Sequence, residues 1–198
     1  NFIFFILIMT VQLEGIIYKI NESDKTAEVS KIDESLIKVL IPRTIKYNSQ
    51  NYVVISVLKD ALNSTRNLKS IKFQLFSQVR LFDYLSFSNT SIEKITIPSS
   101  VTEIKGGWCR DAFNLKKIKI MSANPRYSIL DKKIIIGKSN IEQKKHDTIV
   151  FAINNIEDVK IPNYIKKIGT CSFENCKQIK SFEFLPNSIL ETIENFAF

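Results

Sequence analysis

The sequence predicts a repeat solenoid built mostly of β-strands, because one pattern of apolar residues returns along the chain at a fixed spacing. The stretch Ile156–Gln178 carries apolar residues in an order that fits neither a helical period nor a strict alternation. The stretch Ile92–Asn114 matches it nearly position for position, and each stretch is 23 residues long. Self-similarity at a period of about 20 to 50 residues is typical of proteins made of stacked repeats.

Within each unit, the pattern predicts a short strand, a sharp turn, a second extended segment and then a short helical turn. The predicted core positions of the two best units are Ile95, Ile97, Pro98, Ile104, Ile161, Pro162, Ile168, Phe173 and Cys176. In the earlier unit, Trp108 and Cys109 stand where the later unit has Ser172 and Phe173. A tryptophan in place of a serine predicts a local bulge of the core.

Two segments precede the first unit. Residues 15–35 contain two extended stretches around a polar turn and predict an N-terminal capping hairpin, which would cover the apolar end of the stack. Residues 1–14 include the apolar run Phe2–Met9, which is too short to span a membrane. Its length suits the apolar part of a truncated signal peptide. The alternative is a hydrophobic strand that caps the stack.

Six units are expected over residues 36–198. The first carries an insertion near residues 46–54, and the fourth carries a longer one at residues 121–155 with two strand-like stretches. The sixth unit stops before it is complete, and no capping segment follows it. We therefore expect a solenoid truncated at its C-terminus, that is, a fragment of a longer repeat protein.

The repeated pattern resembles the BspA-like leucine-rich repeats of bacterial and protist surface antigens. The residues that carry the resemblance are Ile92, Ile95, Ile97, Pro98, Val101, Ile104, Ile156, Val159, Ile161, Pro162, Ile165, Ile168, Gly169, Phe173 and Cys176. The resemblance implies a right-handed leucine-rich-repeat array with parallel strands on a concave face. It also implies a non-enzymatic binding module at a cell surface or in a secreted protein, of the adhesion or surface-antigen type. The second unit departs from the pattern, since it lacks the proline and the glycine.

The net charge of +8 favours anionic partners. Because side chains alternate along a strand, outward positions can be identified in each unit, and across six units they hold more lysines than acids. The predicted ligand-binding residues of this concave strip are Lys72, Lys94, Lys116, Lys117, Lys119 and Lys160. The expected partner is a protein or an anionic glycan. The alternative interpretation is that these lysines solvate the strands and discourage edge pairing.

Other function classes find little support in the sequence. No nucleophile elbow, glycine-rich phosphate loop or paired metal-ligand motif is present, so we expect no enzyme, no cofactor and no metal site. The single histidine, His146, lies in a charged stretch that predicts a loop. Nucleic acid is not expected, since the arginines are scattered and the aromatic residues mostly occupy core positions.

The cellular location has two interpretations. The favoured one is a surface or secreted protein, attached to a membrane, if at all, only through a segment outside this chain. The alternative is an intracellular scaffold for protein–protein interaction. Three cysteines, Cys109, Cys171 and Cys176, form no obvious pair, which suits a reducing compartment at least as well. A disulfide between Cys171 and Cys176 is the open alternative.

Overall fold

The computed structural model describes residues 8–198, and these form a β-solenoid without helices. Its eighteen strands are β1 (Ile8–Leu13), β2 (Ile16–Asn21), β3 (Thr26–Ile32), β4 (Lys38–Ile41), β5 (Thr44–Tyr47), β6 (Gln50–Val57), β7 (Ser70–Phe73), β8 (Leu81–Phe82), β9 (Lys94–Ile97), β10 (Glu103–Ile104), β11 (Lys117–Ile120), β12 (Tyr127–Leu130), β13 (Ile134–Gly137), β14 (Thr148–Ala152), β15 (Asp158–Ile161), β16 (Lys167–Ile168), β17 (Ser181–Phe184) and β18 (Thr192–Ile193). Since there is no helix in the described residues, there is none that could cross a membrane.

Two parallel strand ladders run along the solenoid, and each is interrupted once. The first ladder is the four-stranded sheet β11-β9-β7-β4, followed by the separate two-stranded sheet β15-β17. The second ladder continues from β6 through β8 to β10, and resumes with β14, β16 and β18. Register partners of β9 and β11, such as Lys94 and Lys117, and those of β15 and β17 are 23 residues apart, as the sequence period predicts.

The predicted short helical turns are wrong. The segments between the second ladder and the next strand are successions of tight turns, with backbone bonds such as Ala61 N to Leu58 O and Asn63 N to Asp60 O. Four turn segments hold two left-handed residues four positions apart, namely Asp60 and Ser64, Leu85 and Asn89, Gly107 and Asp111, and Cys171 and Asn175. A left-handed residue at every fourth position is incompatible with the repeated negative φ that a helix requires.

The turn segments stack through backbone hydrogen bonds between units. Phe87 N donates to Trp108 O at 2.7 Å, and Phe173 N donates to Ala197 O at the same distance. These bonds give the register of the turns, in which Trp108 occupies the position of Ser86 and Cys109 that of Phe87. The turn segments therefore form a third hydrogen-bonded edge of the solenoid, where the side chains form columns.

Bulk is exchanged between two neighbouring columns in the middle of the stack. Most units place a small residue first and a large one second, as in Ser86–Phe87 and Ser172–Phe173. The third unit reverses the order with Trp108–Cys109. The long insertion does the same with Phe151–Ala152, which bonds to Ser172 O. Trp108 is 1% exposed and contacts Phe151 with ring centroids 5.3 Å apart. The sequence predicted a bulge, whereas the two reversals occur together and fill the core.

The long insertion at residues 121–155 causes the interruption of both ladders. It forms an antiparallel hairpin, β12–β13, followed by β14, which pairs in parallel with β16. Beyond the backbone bond from Met121 N to Ile97 O, side chains connect it to the third unit. Tyr127 Oη accepts from Ile104 N, and Arg126 Nη1 donates to Thr102 O at 2.9 Å. The turns across the interruption are tied by the ion pair Arg110–Glu174 at 2.6 Å.

The N-terminal part forms an antiparallel meander of β1, β2 and β3, and β3 then pairs in parallel with β6. Residues 15–35, which the sequence assigns to a capping hairpin, supply β2 and β3. The apolar run Phe2–Met9 lies mostly outside the described residues, which begin with β1. The signal-peptide interpretation stays a prediction. The insertion near residues 46–54 belongs to the antiparallel pair β5–β6.

Most predicted core positions are buried. Ile95, Ile97, Ile161, Ile168 and Phe173 are almost fully excluded from solvent. Pro98 and Cys176 are also buried, whereas Ile104 and Pro162 are half-buried.

The reversed order of Trp108 and Cys109 predicts that a second substitution partly restores the stability lost by the first. Trp108→Ser removes a fully buried aromatic side chain and should lower the free energy of unfolding by about 3–5 kcal/mol. Adding Cys109→Phe restores the order of the second unit and should recover at least about 1 kcal/mol of that loss. Urea denaturation of the two variants and of Cys109→Phe alone checks this. If the double variant loses as much free energy of unfolding as the two single variants together, the two columns do not compensate each other in volume.

Candidate functional site

The exposed face of the four-stranded sheet is strongly basic, and we call it the basic sheet. It consists of the outward residues of β4, β7, β9 and β11 and the residues that precede these strands. It carries seven exposed lysines and one exposed acid, a formal charge of +6: Lys38, Lys69, Lys72, Lys94, Lys116, Lys117, Lys119 and Glu93. Among the described residues, no carboxylate forms a salt bridge with any of these lysines.

Strand register places lysines of the basic sheet beside one another. Lys94 is the direct partner of Lys117 on the neighbouring strand. Adjacent strands lie about 4.8 Å apart, and like charges directly opposite each other are destabilising. Lys119 is opposite Thr96, and Lys72 is opposite Leu40, so no acid separates the positive charges in these rows either. The basic sheet therefore has an arrangement that sheet stability alone would disfavour.

The two-stranded sheet β15–β17 has the opposite character, and we call it the paired sheet. Its outward positions hold Lys160 and Lys180 together with Glu157, Asp158 and Glu183, a formal charge of −1. Lys160 and Glu183 are register partners and form a salt bridge at 3.4 Å. Lys180 forms a salt bridge with Glu157. Opposite charges thus alternate across this sheet, as expected for a solvated surface that stabilises itself.

The six predicted ligand-binding lysines divide between these two sheets. Lys72, Lys94, Lys116, Lys117 and Lys119 lie on the basic sheet, whereas Lys160 lies on the paired sheet in a salt bridge. The single strip drawn across all six units is therefore two surfaces, separated by the long insertion. A signal for this division is present in the sequence, because the acids at outward positions are concentrated in the last two units. Lys38 and Lys69 complete the basic sheet.

The cysteines and the histidine, the residue types most often used in catalysis and metal binding, lie at buried or half-buried positions. All three cysteines are free and buried, so the Cys171–Cys176 disulfide is not formed. Burial raises the pKa of Cys176 to about 11, and burial together with Glu174 raises that of Cys171 to about 11. His146 is half-buried, and burial together with nearby Lys138 lowers its pKa. No group of three or more potential ligands in the described residues could hold a metal ion.

Comparison with protein families identifies the repeats. The model of the BspA type leucine rich repeat region, in six copies, matches residues 19–141 and 144–198. The chain belongs to the BspA-type leucine-rich repeat family. The resemblance read from the repeated isoleucines, prolines and Phe173 is thereby confirmed, together with the predicted repeat solenoid. No curated protein sequence matches this BspA-type chain.

Solved structures show the same fold. The BspA-type chain is similar to the pneumococcal vaccine antigen PcpA, with 17% identity and a TM-score of 0.60 over 96% of this chain and 67% of that one. It is also similar to a leucine-rich repeat protein from Eubacterium ventriosum, with 18% identity and a TM-score of 0.57 over 94% of this chain and 61% of that one. It therefore spans about two thirds or less of the length of these proteins.

The buried cysteines predict slow thiol chemistry. Because burial raises the pKa of Cys109, Cys171 and Cys176, their thiols stay protonated at pH 8, where a free cysteine is partly ionised. The native protein should react with Ellman's reagent much more slowly than glutathione does, and all three thiols should react at once in denaturant. A native thiol that reacts as fast as glutathione would show that its turn opens readily.

Proposed function

We propose that this BspA-type chain is a non-enzymatic binding module of a surface or secreted protein, and that its basic sheet docks an acidic protein. The observation that carries the proposal is the in-register lysine pair Lys94–Lys117 within a face that has seven lysines and one acid. The same chain alternates charges on its paired sheet. An unbalanced face that lowers stability, beside a balanced one that raises it, favours a role in binding.

The docking mechanism would be multipoint electrostatic contact on a preformed surface. Each exposed lysine contributes little by itself, about 0.2–1 kcal/mol for an exposed ion pair. Several lysines fixed by strand pairing act together without a large cost of ordering the backbone. Such a face also attracts an acidic partner over distance and raises the association rate, and salt screens this effect beyond about 10 Å. No bond is made or broken.

A sulfated or uronate glycan is the second ligand that this face could hold. Both ligands present rows of negative charge, so both depend on the same lysines. An acidic protein is the first choice because leucine-rich repeats are generally protein-binding modules. The affinity for a glycan of uniform charge would depend only on the number of lysines. The affinity for a protein would also depend on which of the lysines are present.

Neutralising one dense part of the basic sheet should weaken binding. The triple variant Lys116→Gln, Lys117→Gln and Lys119→Gln should bind poly-L-glutamate, the model for an acidic protein segment, about tenfold more weakly at low salt. The estimate takes about 0.5 kcal/mol for each lost contact. Isothermal titration calorimetry measures the affinity, and the same titration with heparin covers the glycan alternative.

The matched control neutralises three lysines that already have acid partners. Lys160, Lys166 and Lys180 form salt bridges with Glu183, Glu191 and Glu157. Changing all three to glutamine removes the same total charge from the protein and should leave the affinity nearly unchanged or only slightly lower. Equal weakening by both triple variants would show that net charge alone attracts the ligand, and unchanged affinity in both would remove the basic sheet from the proposal.

The location of the protein is part of the same proposal. The antigen role of the pneumococcal protein, as its name states it, supports exposure at a cell surface. The three free, buried cysteines favour the second candidate, an intracellular protein-binding scaffold, because thiols persist in a reducing compartment.

Antibody labelling of intact source cells distinguishes the two locations. A surface or secreted protein should be labelled without permeabilisation, or be found in the culture medium. Labelling that requires permeabilisation, with no protein in the medium, would contradict the surface location and favour the scaffold. An abundant cytoplasmic protein labelled in parallel controls for leaky cells.

A further inference from the structure

Three large apolar side chains are exposed where β4 and β7 end, and we call them the apolar corner. They are Leu40 of the first unit and Leu75 and Phe76 of the second, with exposed fractions of 56%, 64% and 70%. Leu40 lies on the basic sheet at its β4 edge. Leu75 and Phe76 lie in the loop that follows β7.

The two parts of the apolar corner are joined by short-range contacts. Leu40 on β4 is the register partner of Lys72 on β7, and the loop with Leu75 and Phe76 follows β7. Gln74 N donates to Ile41 O at 2.8 Å. The side-chain oxygen of Gln74 accepts from Arg43 N at 2.7 Å. The apolar loop of the second unit is therefore fixed beside the first unit, with Arg43 next to it.

Backbone conformation holds Phe76 where it is. Its φ is +60°, in the left-handed region that costs a non-glycine residue of order 1 kcal/mol or more. Five residues lie between Phe73 and Val79 in this loop, whereas the next unit has three between Ile97 and Val101 and exposes no large apolar side chain there. The leucine and the phenylalanine of the longer loop are exposed and give nothing to the core. These exposed apolar side chains suit insertion into an apolar partner.

The charged side chains that lie next to the apolar corner are cations. Lys38 and Lys72 flank Leu40 on the sheet, and Arg43 adjoins the loop. The corner is thus an apolar protrusion surrounded by cations.

We propose that the apolar corner docks on an anionic phospholipid membrane, with Leu75 and Phe76 inserted at the interface. An apolar protrusion among cations is the combination that binds an anionic bilayer, since the side chains enter the acyl boundary while lysine and arginine meet the headgroups. An acidic protein segment would use the cations alone and leave Leu75 and Phe76 exposed, whereas a bilayer uses the cations and the apolar side chains together.

This docking goes beyond the acidic ligand proposed above, and it shares Lys38, Lys69 and Lys72 of the basic sheet with that proposal. The dense lysines near β9 and β11 serve the acidic ligand alone, and the exposed apolar side chains of the first two units serve the membrane alone. A protein held in this way would lie with its first units on the lipid, and the chain beyond β9 would extend from that contact. The two proposals are tested with different variants and different ligands.

The test measures co-sedimentation with vesicles of phosphatidylglycerol and phosphatidylcholine. The wild-type chain should bind these vesicles, and the double variant Leu75→Ser and Phe76→Ser should bind at least about tenfold more weakly, because two large apolar side chains no longer enter the lipid. Phe113→Ser is the matched control. Phe113 is 63% exposed on a turn of the third unit, outside the apolar corner, and its loss should leave binding unchanged.

Charge and insertion are separated by two further measurements. Lys38→Gln with Lys72→Gln should weaken binding to the anionic vesicles, and added salt should do the same in the wild type. Phe76→Trp should give a blue-shifted emission on vesicle binding, over the constant signal of buried Trp108. All variants keep the apolar run Phe2–Met9, so any contribution from it is common to them.

Three results would overturn the proposal. The first is no sedimentation of the wild-type chain with anionic vesicles at low salt. The second is equal binding by the wild type and by the Leu75→Ser, Phe76→Ser variant, which would leave only electrostatic adsorption. The third is a tryptophan at position 76 whose emission does not shift on binding, which would direct the search to a protein partner with an apolar pocket. Thermal unfolding of each variant verifies that it is folded.

Discussion

Parallel pairing of successive units in constant register is the constraint on which the other features depend. A single unit has only short strands and an apolar face that it cannot bury alone, so it is stable only against its neighbours. Backbone bonds on three edges, such as Lys116 N to Glu93 O and Phe87 N to Trp108 O, hold the units together. Because the register is constant, each position of the repeat becomes a column. The side chains of an outward column form a continuous surface, and those of an inward column form one layer of the core.

Columns explain both the core and the exposed basic face. In the core, a residue that is too large in one column must be offset in the next, which is why Trp108 is accompanied by Cys109 and Phe151 by Ala152. On the outward face nothing enforces such an offset, so lysine can follow lysine, as at Lys94 and Lys117. The hydrogen bonds and apolar contacts beneath the sheet offset the repulsion between these lysines. Stability therefore comes from the inward columns, and the outward columns are available for recognition.

The sequence was sufficient for the repeated core positions, but it was insufficient for the backbone conformation of the turns and for the consequences of the long insertion. Ile95, Ile97, Ile161 and Ile168 are readable as core because they recur at one spacing, and their burial follows. The turns were misread as helical because a run such as the one around Phe173 contains residues compatible with either state. Most of the left-handed residues that exclude a helix are not glycines, for example Asp60, Leu85 and Cys171. Because these residue types rarely adopt a left-handed conformation, the sequence does not predict it at these positions.

The division of the lysine strip illustrates the same limit. Outward positions were identified correctly one unit at a time, but the long insertion lies between β11 and β15 in space as well as in sequence, and the two sheets on either side do not pair. Lys160 consequently faces Glu183 and not Lys119. An insertion in a solenoid thus does more than lengthen a loop: it ends one surface and allows the next units to evolve a different charge. In this chain the outward lysines of the basic sheet have no acid in a salt bridge among the described residues, whereas those of the paired sheet are neutralised pair by pair. The interruption divides one repeat array into two surfaces of different charge.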